Sequence, residues 1–438
     1  MKLMNYLRKK AFWTLDKLRG EQIKRGYQSI KKIDLMDSSD PYIKKYQNKV
    51  WLELKNHACN TTEFYKEFRD KKFIEFPVIS KSDIKENQGK FMSRKFSQDD
   101  LIQMSTSGST GTPLVCYQDV NKKKRVNAEI IYYSEKVGYE VGKNLSYIRT
   151  VVKQNKKSEF RQFLQNQTLL QCEKLNDEGI RELIRKLEEV SKNGSITLLA
   201  YASTYTAIKD YAKRNGIKSF ANCHIGGVIS GSEMLYDSTR EAIKKLFKTE
   251  AVSRYSNEEN GVIGQDEGIN NNFTVNEADY LVEILDDDGQ RVPDGTLGRI
   301  VVTDFFNYAM PMIRYDTGDM GAIVTKSVNG REKKVICNFS GRKVDLIYDT
   351  SSNALSPHVI TNAMWSFPDI KQFQFIQKGK NNYLLKLNLD GDFQRSAEII
   401  ETLQNILGDK ACIDIETVEE IPVLASGKRR YIVNEWRK

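Results

Sequence analysis

The sequence predicts an α/β protein with two domains: a large N-terminal domain of layered sheets and helices, and a small C-terminal α+β domain. Length is the first observation, because 438 residues exceed what one compact core usually holds. Alternation is the second, because short β-rich runs and helical stretches follow one another beyond residue 100. Before that point the chain is polar and has helical periodicity.

Local patterns predict the elements of the large domain. Apolar positions recur at helical spacing over residues 51–56 and 62–69, and the pattern breaks at Phe76-Pro77. Strands are predicted at 195–201, 225–230, 280–285 and 298–304, and helices at 177–192 and 238–248. The last two strands are joined by a turn-rich loop, which predicts an antiparallel subregion.

A separate unit is predicted from about residue 341 onward. Its strands are expected near 372–377, 383–389 and 411–418, with a helix over 393–407. This pattern is typical of an independent α+β domain of roughly 90 residues.

The N-terminal segment carries most of the positive charge. Residues 1–32 hold ten Lys and Arg against Asp16 and Glu21, so +8 of the net charge of +10 lies there. Apolar residues recur in it at roughly helical intervals: Leu3, Leu7, Phe12, Leu15 and Leu18. Such a segment can lie on an anionic membrane surface or on an acidic partner. The alternative is an amphipathic helix that packs on the body and leaves its basic face in solvent.

Composition argues against several functional classes. The six cysteines have no CxxC spacing and the histidines are His57, His224 and His358, so we expect no zinc site, disulfide framework or histidine-rich centre. No run approaches 18 apolar residues and no signal peptide is evident, so a cytoplasmic protein is predicted. No pattern of nucleic-acid binding is present.

A hydroxyl- and glycine-rich run follows the apolar Leu101 and Ile102. It comprises Thr106, Ser107, Gly108, Ser109, Thr110, Gly111 and Thr112. Glycines let backbone N–H groups approach a ligand closely, and Ser and Thr hydroxyls can donate to phosphate oxygens. The run suits polyphosphate, although it is neither a Walker A loop nor a dinucleotide fingerprint. Taken alone, it can also be a plain flexible loop.

Further segments follow in a fixed order. They are Gly-Ser-Glu-Met at 231–234, Tyr-Ser-Asn-Glu-Glu at 255–259, Ile-Arg-Tyr-Asp-Thr-Gly-Asp at 313–319, Gly-Arg-Lys-Val-Asp at 341–345 and Ser-Gly-Lys-Arg-Arg at 426–430. Singly, each can be a set of solvated charges or turn residues. Together they resemble the core motifs of acyl-adenylate-forming enzymes, and they are most similar to the phenylacetate-CoA ligase-like branch that includes proteins of capsular polysaccharide gene clusters. The resemblance covers residues from about 100 to the end.

The resemblance implies an enzyme that uses ATP to activate a carboxylic acid as an acyl-adenylate, with release of pyrophosphate. Bringing two anions together requires positive charge where charge builds in the transition state. By resemblance, Lys428, Glu259 and Thr110 are catalytic, Glu259 holds Mg²⁺, and Lys428 bridges the carboxylate and the α-phosphate. The partners are then a small carboxylic acid and a thiol or amine acceptor, with CoA as one candidate.

The resemblance also implies the binding residues. The nucleotide would contact Ser232, Glu233, Tyr255, Ser256, Asp319, Arg342 and the 106–112 loop, with Tyr255 stacked on adenine and Asp319 bound to the ribose. The acid would contact Tyr201, Ser203, Gly231 and Asn257, although core packing accounts for Tyr201 nearly as well. The domains would be 1–341, a hinge at 342–347, and a mobile 348–438 that rotates between adenylation and transfer.

Two departures from the resemblance matter. Relatives carry a lysine where this chain has Thr112 and Leu114, and Lys122, Lys123 and Lys124 are candidates to compensate. Residues 349–353 replace an Arg-Gly-Val-like stretch that helps to line the pantetheine channel, so the acceptor can be CoA or an amine, for instance on a cell-envelope sugar. A catalytically silent, membrane-docked scaffold is the alternative from another functional class.

Overall fold

The computed structural model describes residues 2–105, 114–148, 162, 165–170, 176–267, 271–342, 347–352, 354–355, 360, 363–364, 366–367, 369–389, 394–422 and 431–436. The predicted phosphate loop at 106–112, most of the predicted hinge, His358 and Lys428 lie outside these residues. The chain divides into two compact units. Unit 1 is Met1–Glu283, Val301–Asp316 and Ile323–Cys337, and unit 2 is Ile284–Ile300, Thr317–Ala322 and Asn338–Lys438.

The first hundred residues are helical, as predicted. Their helices are α1 (Lys2–Leu18), α2 (Gln22–Asp34), α3 (Pro41–Thr61), α4 (Lys81–Glu86) and α5 (Gln88–Phe91). The helical interpretation of residues 62–69 is wrong, because α3 ends at Thr61 and only a short 3-10 turn follows at Lys66–Phe68. Thr62 is extended and its hydroxyl accepts the Tyr65 N–H, a local bond that competes with the helix.

A parallel sheet forms the centre of unit 1. Its strands are β3 (Asn144–Ile148), β4 (Gln167–Leu170), β5 (Ile196–Tyr201), β6 (Ile225–Gly231) and β7 (Ala251–Asn257), in the order β7-β6-β5-β3-β4. Helices α6 (Val120–Glu135), α7 (Asp177–Ser191), α8 (Ala202–Arg214) and α9 (Asp237–Phe247) lie between strands along the chain. The predicted strands and helices of this region are confirmed. Ile180, Leu187, Ile208 and Ile243 pack with Leu198 and Val228 in one buried core.

The predicted antiparallel subregion is also present. Strands β8 (Gly261–Gln265) and β9 (Phe273–Val275) pair antiparallel beside β7. The sheet continues with β10 (Tyr280–Leu285), β11 (Gly298–Asp304), β12 (Tyr315–Val328) and β13 (Arg331–Arg342), in the order β10-β11-β12-β13-β9. A separate hairpin, β1 (Leu101–Ser105) with β2 (Val115–Asp119), flanks the predicted phosphate loop.

The end of unit 2 is an α+β layer. Its four-stranded sheet has the order β18-β17-β16-β19, from β16 (Ile370–Gln377), β17 (Asn382–Leu389), β18 (Cys412–Thr417) and β19 (Ile432–Asn434). Helix α10 (Ser396–Leu407) buries Ile399, Leu403 and Leu407 in the same core as Phe375 and Leu385. A two-stranded sheet of β14 (Ile347–Tyr348) and β15 (Ala354–Leu355) precedes them. The predicted α+β pattern is confirmed.

Candidate active site

Three parallel strands end side by side in unit 1. Tyr201 at the end of β5 pairs with Gly231 at the end of β6, and Gly231 pairs with Arg254 of β7. In open α/β sheets, ligands bind at the carboxyl ends of the strands. The strand order therefore brings the predicted acid-binding residues Tyr201 and Gly231 to the same edge as the 255–259 segment.

A direct contact joins two of the predicted site residues. The Ser203 N–H, in the first turn of α8, donates to Oε2 of Glu233 at 2.8 Å. A carboxylate at this position is favoured because the first N–H groups of a helix have no partner within the helix. Glu233 follows Ser232, whose φ of +66° lies in the left-handed region. A serine held there costs on the order of 1 kcal/mol, which is typical of turns at functional sites.

The turn after β7 carries the two glutamates. Tyr255 is buried on β7, with its ring 5.8 Å from that of Phe273, and Ser256 follows it half-buried. Asn257 Oδ1 accepts the Asn260 N–H at 2.8 Å and closes the turn. Within the turn Glu258 is exposed, whereas Glu259 is buried.

Glu259 has two polar partners. Its Oε1 accepts the hydroxyl of Tyr315 at 2.9 Å and lies 3.2 Å from the Lys81 ammonium. Only 1% of Glu259 is exposed, and a buried carboxylate is tolerated when it is paired and hydrogen-bonded. Gln118 Nε2 donates to the Glu258 and Glu259 carbonyls at 3.3 and 3.2 Å, so the backbone of the turn is held as well.

Backbone contacts explain why Lys81 reaches this carboxylate. Ile79 forms a parallel bridge with Tyr315, in which its N–H donates to the Arg314 carbonyl and its own carbonyl accepts the Asp316 N–H. Ser80 then caps α4 reciprocally with Asp83, so Lys81 is the first residue of that helix. Lys81 is not among the predicted site residues. The Ser-Lys-Ser-Asp capping box at 80–83 indicates where the helix begins, but it does not indicate that Glu259 lies beside Lys81 in the fold.

A buried charged network lies behind the same turn. Tyr280 Oη lies 2.8 Å from both Glu129 Oε1 and the Asn260 carbonyl, and Glu129 Oε2 accepts the Val262 N–H at 2.7 Å. Lys122 is fully buried, with its ammonium 2.7 Å from Asp304. These contacts fix the turn between β7 and β8 from the interior.

The network excludes a phosphate-binding role for Lys122. Burial opposes its charge, but Asp304 and Glu129 outweigh burial and raise the pKa of Lys122. Moving the ammonium to a phosphate would leave Asp304 buried and unpaired, which is costly. The hypothesis that Lys122 replaces the missing loop lysine is therefore wrong, whereas the Lys81 ammonium contacts the predicted site residue Glu259.

The other predicted residues belong to unit 2 or lie outside the described part of the chain. Asp319 belongs to unit 2, where its N–H donates to Thr317 Oγ1 at 3.2 Å, and the Thr317 hydroxyl donates to the Ile300 carbonyl. Arg342 is the last residue of β13, and its side chain lies outside the described residues. Lys428 and the 106–112 loop also lie outside them, so their roles stay predictions.

Glu259 can act as the single protein ligand of a Mg²⁺ ion that is also bound by substrate phosphates. Within the described parts of the chain, no group of three or more His, Cys, Asp or Glu side chains could hold a metal ion. Mg²⁺ in nucleotide enzymes is commonly held by one or two carboxylates together with substrate phosphates. Glu259 fits that mode as a single protein carboxylate, with Tyr315 and Lys81 fixing its orientation.

The sequence is similar to the sequences of known proteins. Residues 347–435 match the family model of the CapK C-terminal domain. Protein CapK of Staphylococcus aureus is 26% identical over 435 residues, which covers 94% of this chain and 92% of that protein.

Solved structures share the fold. A 2-hydroxyisobutyryl-CoA ligase in complex with 2-HIB-AMP, in the postadenylation state, has a TM-score of 0.70 at 14% identity, over 88% of this chain and 89% of that one. ATP-bound MatB from Rhodopseudomonas palustris has a TM-score of 0.56 at 16% identity, over 77% and 68% of the two chains. The predicted resemblance is confirmed: the chain has the fold of acyl-CoA and AMP-forming ligases, and its residues 347–435 match the CapK C-terminal domain.

Proposed function

We propose that the protein is an AMP-forming carboxylate ligase. An oxygen of the acid attacks the α-phosphorus of ATP, the bond to the β-phosphate oxygen breaks, and pyrophosphate leaves. The acyl group then passes from AMP to an acceptor. The observation that carries this proposal is Glu259, a buried carboxylate held by Tyr315 and Lys81 on the turn after β7, in a chain with this fold.

We propose different roles for the acidic, basic and hydroxyl-bearing residues of the predicted catalytic set. Glu259 would hold Mg²⁺, which when bound supplies positive charge to the phosphate oxygens. Tyr315 and Lys81 would keep the carboxylate oriented. We propose that Thr110, with the rest of the 106–112 loop, binds the β- and γ-phosphates, and that Lys428 stabilises the charge that develops between the acid and the α-phosphate.

The nucleoside and the acid would bind at the carboxyl edge of β5, β6 and β7. We propose nucleotide contacts from Ser232, Glu233, Tyr255, Ser256, Asp319 and Arg342, and acid contacts from Tyr201, Ser203, Gly231 and Asn257. The Ser203–Glu233 bond supports a shared site, because it links a residue of each set. Gly231 supports the acid pocket, because a Cβ built on it meets no atom of the described residues within 4 Å.

The acceptor is proposed as CoA or an amine. A CoA acceptor is supported by analogy, since the 2-hydroxyisobutyryl-CoA ligase has been solved with its acyl-AMP and CoA. An amine is favoured by residues 349–352, where Asp349 Oδ1 accepts the Ser351 N–H and Thr350 donates its N–H to the Leu407 carbonyl. This turn stands in place of the Arg-Gly-Val-like stretch that helps to line the pantetheine channel, which suits an amide-forming ligase acting on a cell-envelope sugar.

We further propose domain boundaries at 1–341 and 348–438, a hinge over 342–347, and a cytoplasmic location at the inner face of the membrane, where ATP and CoA are available. In this arrangement the small domain would present Lys428 only during adenylation.

The test is pyrophosphate release from Mg-ATP with a panel of aryl, fatty, amino and sugar acids, each with and without CoA or amines. We expect acid-dependent release that one acceptor accelerates. ATP binding by calorimetry accompanies the panel, with the Glu259→Gln variant as the control. ATP binding that is unaffected by Glu259→Gln, together with no release for any acid, would instead support a silent nucleotide-binding scaffold.

A further inference from the structure

The first helix turns its apolar side away from the protein. Five large apolar side chains recur at helical spacing and form one face of α1, here called the apolar stripe: Leu3, Met4, Leu7, Leu15 and Leu18. Their exposed fractions are 71, 48, 48, 50 and 78%. The packed-helix alternative predicted that the basic face would be in solvent and the apolar face buried. Of the apolar residues on which that prediction rests, Leu3, Leu7, Leu15 and Leu18 are in solvent and Phe12 is half-buried.

The opposite, mostly polar face of α1 packs on unit 1. Lys9 forms an ion pair with Glu140 at 2.5 Å, and the buried Asp16 accepts the N–H groups of Ile23 and Lys24 at the start of α2. The backbone of α1 also rests directly on Gly142, where a Cβ would lie 2.2 Å from the Asn5 carbonyl oxygen. The orientation of α1 is therefore fixed by contacts along its length, and the exposed stripe is not a frayed end.

Positive charge and aromatic rings lie along the border of the stripe. A surface cleft on this side is lined by Tyr6, Lys9, Lys10, Trp13, Thr14, Lys17, Glu21 and Lys24. Lys10 lies over the Tyr6 ring at 5.4 Å, and the Trp13 ring contacts that of Tyr27. Amphipathic helices that lie in a membrane surface combine such a stripe with flanking Lys, Arg, Trp and Tyr.

We propose that α1 docks the protein on an anionic phospholipid surface, with the apolar stripe inserted at the level of the acyl chains and with Lys10 and Lys17 facing lipid phosphates. Charge selects this occupant over a second copy of the chain, because two segments of net charge +8 would repel each other across a shared interface. None of the helices that the structure describes has both the length and the apolarity to cross a membrane. The docking does not depend on the proposed ligase activity.

The test is flotation of the full chain with vesicles of phosphatidylcholine alone or with about one third phosphatidylglycerol. We expect binding to the anionic vesicles and little to the neutral ones. The triple variant Leu7→Gln/Leu15→Gln/Leu18→Gln should lower the floated fraction at least about fivefold. Its matched control places the same change at exposed apolar residues elsewhere in unit 1, as Leu35→Gln/Leu52→Gln/Ile74→Gln, and should float like the unmodified chain.

A second pair of variants separates charge from apolar insertion. Lys10→Gln/Lys17→Gln should weaken binding to anionic vesicles, whereas Lys44→Gln/Lys45→Gln on α3 should not. No flotation of the full chain, or equal flotation of the stripe variant and its control, would overturn the proposal. A dimer in sedimentation that only the stripe variant loses, without flotation, would overturn it in favour of a second copy. Because binding is the readout, an inactive enzyme leaves the test unaffected.

Discussion

The Lys81 ammonium and the Glu259 carboxylate meet at 3.2 Å, although Lys81 begins a short helix and Glu259 lies in the turn after a strand. The lysine side chain is 35% exposed and that of the glutamate 2%. Among the described residues Lys81 forms the ion pair with this buried carboxylate, and removing one partner of such a pair leaves an uncompensated charge. We therefore propose that Lys81 is a positioning residue for Glu259.

Replacing Lys81 should impair adenylation without preventing folding. We expect Lys81→Met to lower kcat for pyrophosphate release by about 10- to 100-fold, because Glu259 loses the contact that orients it. The Mg²⁺ concentration for half-maximal rate should fall, since the ammonium no longer competes for the carboxylate. Lys81→Arg should restore most of the rate. Lys85→Met, at an exposed position in the same helix, is the matched control, and an equal loss in that variant would contradict the assignment.

Lys428 should separate the two half-reactions. We expect Lys428→Ala to abolish pyrophosphate release while leaving transfer from a supplied acyl-adenylate nearly unchanged. Single-turnover assays of each step measure the difference. Lys410→Ala, at an exposed position in the same unit, should leave both steps intact. Equal loss of both steps in Lys428→Ala would argue against a small domain that rotates.

Gly231 should govern the size of the acid. We expect Gly231→Val to change the free energy of unfolding by less than about 0.5 kcal/mol, because no described atom lies within 4 Å of the added Cβ. The kcat/KM for bulky acids should fall about tenfold relative to small ones. By contrast, Gly227→Ala on the same strand should destabilise the fold, since its Cβ would lie 2.1 Å from the Val137 carbonyl oxygen. An unchanged acid preference in Gly231→Val would place the pocket elsewhere.

Asp34 should make the contact between α2 and α6 sensitive to acid. Burial alone would raise the pKa of Asp34, but Lys136 at 3.0 Å and the Tyr132 hydroxyl at 2.6 Å outweigh it and hold that pKa below its ordinary value. The unfolded chain then binds the proton more tightly, so the stabilisation is present above the unfolded pKa and is lost as pH falls through the folded pKa.

We expect Asp34→Asn to lower the free energy of unfolding by about 1–2 kcal/mol at pH 7. The difference from the unmodified chain should shrink below about pH 4. Urea unfolding at several pH values measures it. The variant Asp37→Asn is the control, because Asp37 lies just beyond α2 and its Oδ1 accepts only the Glu332 N–H among the described contacts. A difference that is constant with pH would show that the ionised form contributes nothing.

Local signals in the sequence were sufficient to predict most elements of the fold and to single out two segments that lie at one edge of the sheet. The segments at 231–234 and 255–259 begin in the last residues of β6 and β7, and parallel pairing brings the ends of these strands together. The helix predicted over residues 62–69 is wrong for a physical reason. Tyr65 and its aromatic neighbours at 64 and 68 have helical spacing, but they pack into the core from a turn. The spacing of apolar residues predicts which side chains are buried together, but it does not determine whether the backbone that carries them is a helix or a turn.

Two features required three-dimensional information. Lys81 and Glu259 are distant in sequence, and the Ile79–Tyr315 bridge places the start of α4 beside Tyr315, whose hydroxyl contacts Glu259. The orientation of α1 was equally hidden, since amphipathicity does not say which face has a partner. The polar Lys9 and Asp16 contribute contacts to the packed face of α1 together with the Trp13 ring, while four leucines of the helix are exposed.

The buried network behind the turn also sets the electrostatic background of the site. Burial raises the pKa of Glu129 above its ordinary value, and the neighbouring Lys122 ammonium opposes that shift. The cations Lys122 and Arg125 are paired with Asp304 and Asp279 in the same interior. Lys81 contacts Glu259 from outside this network, so a substitution of Lys81 during evolution can change the charge beside the candidate site without removing an ion-pair partner from the core.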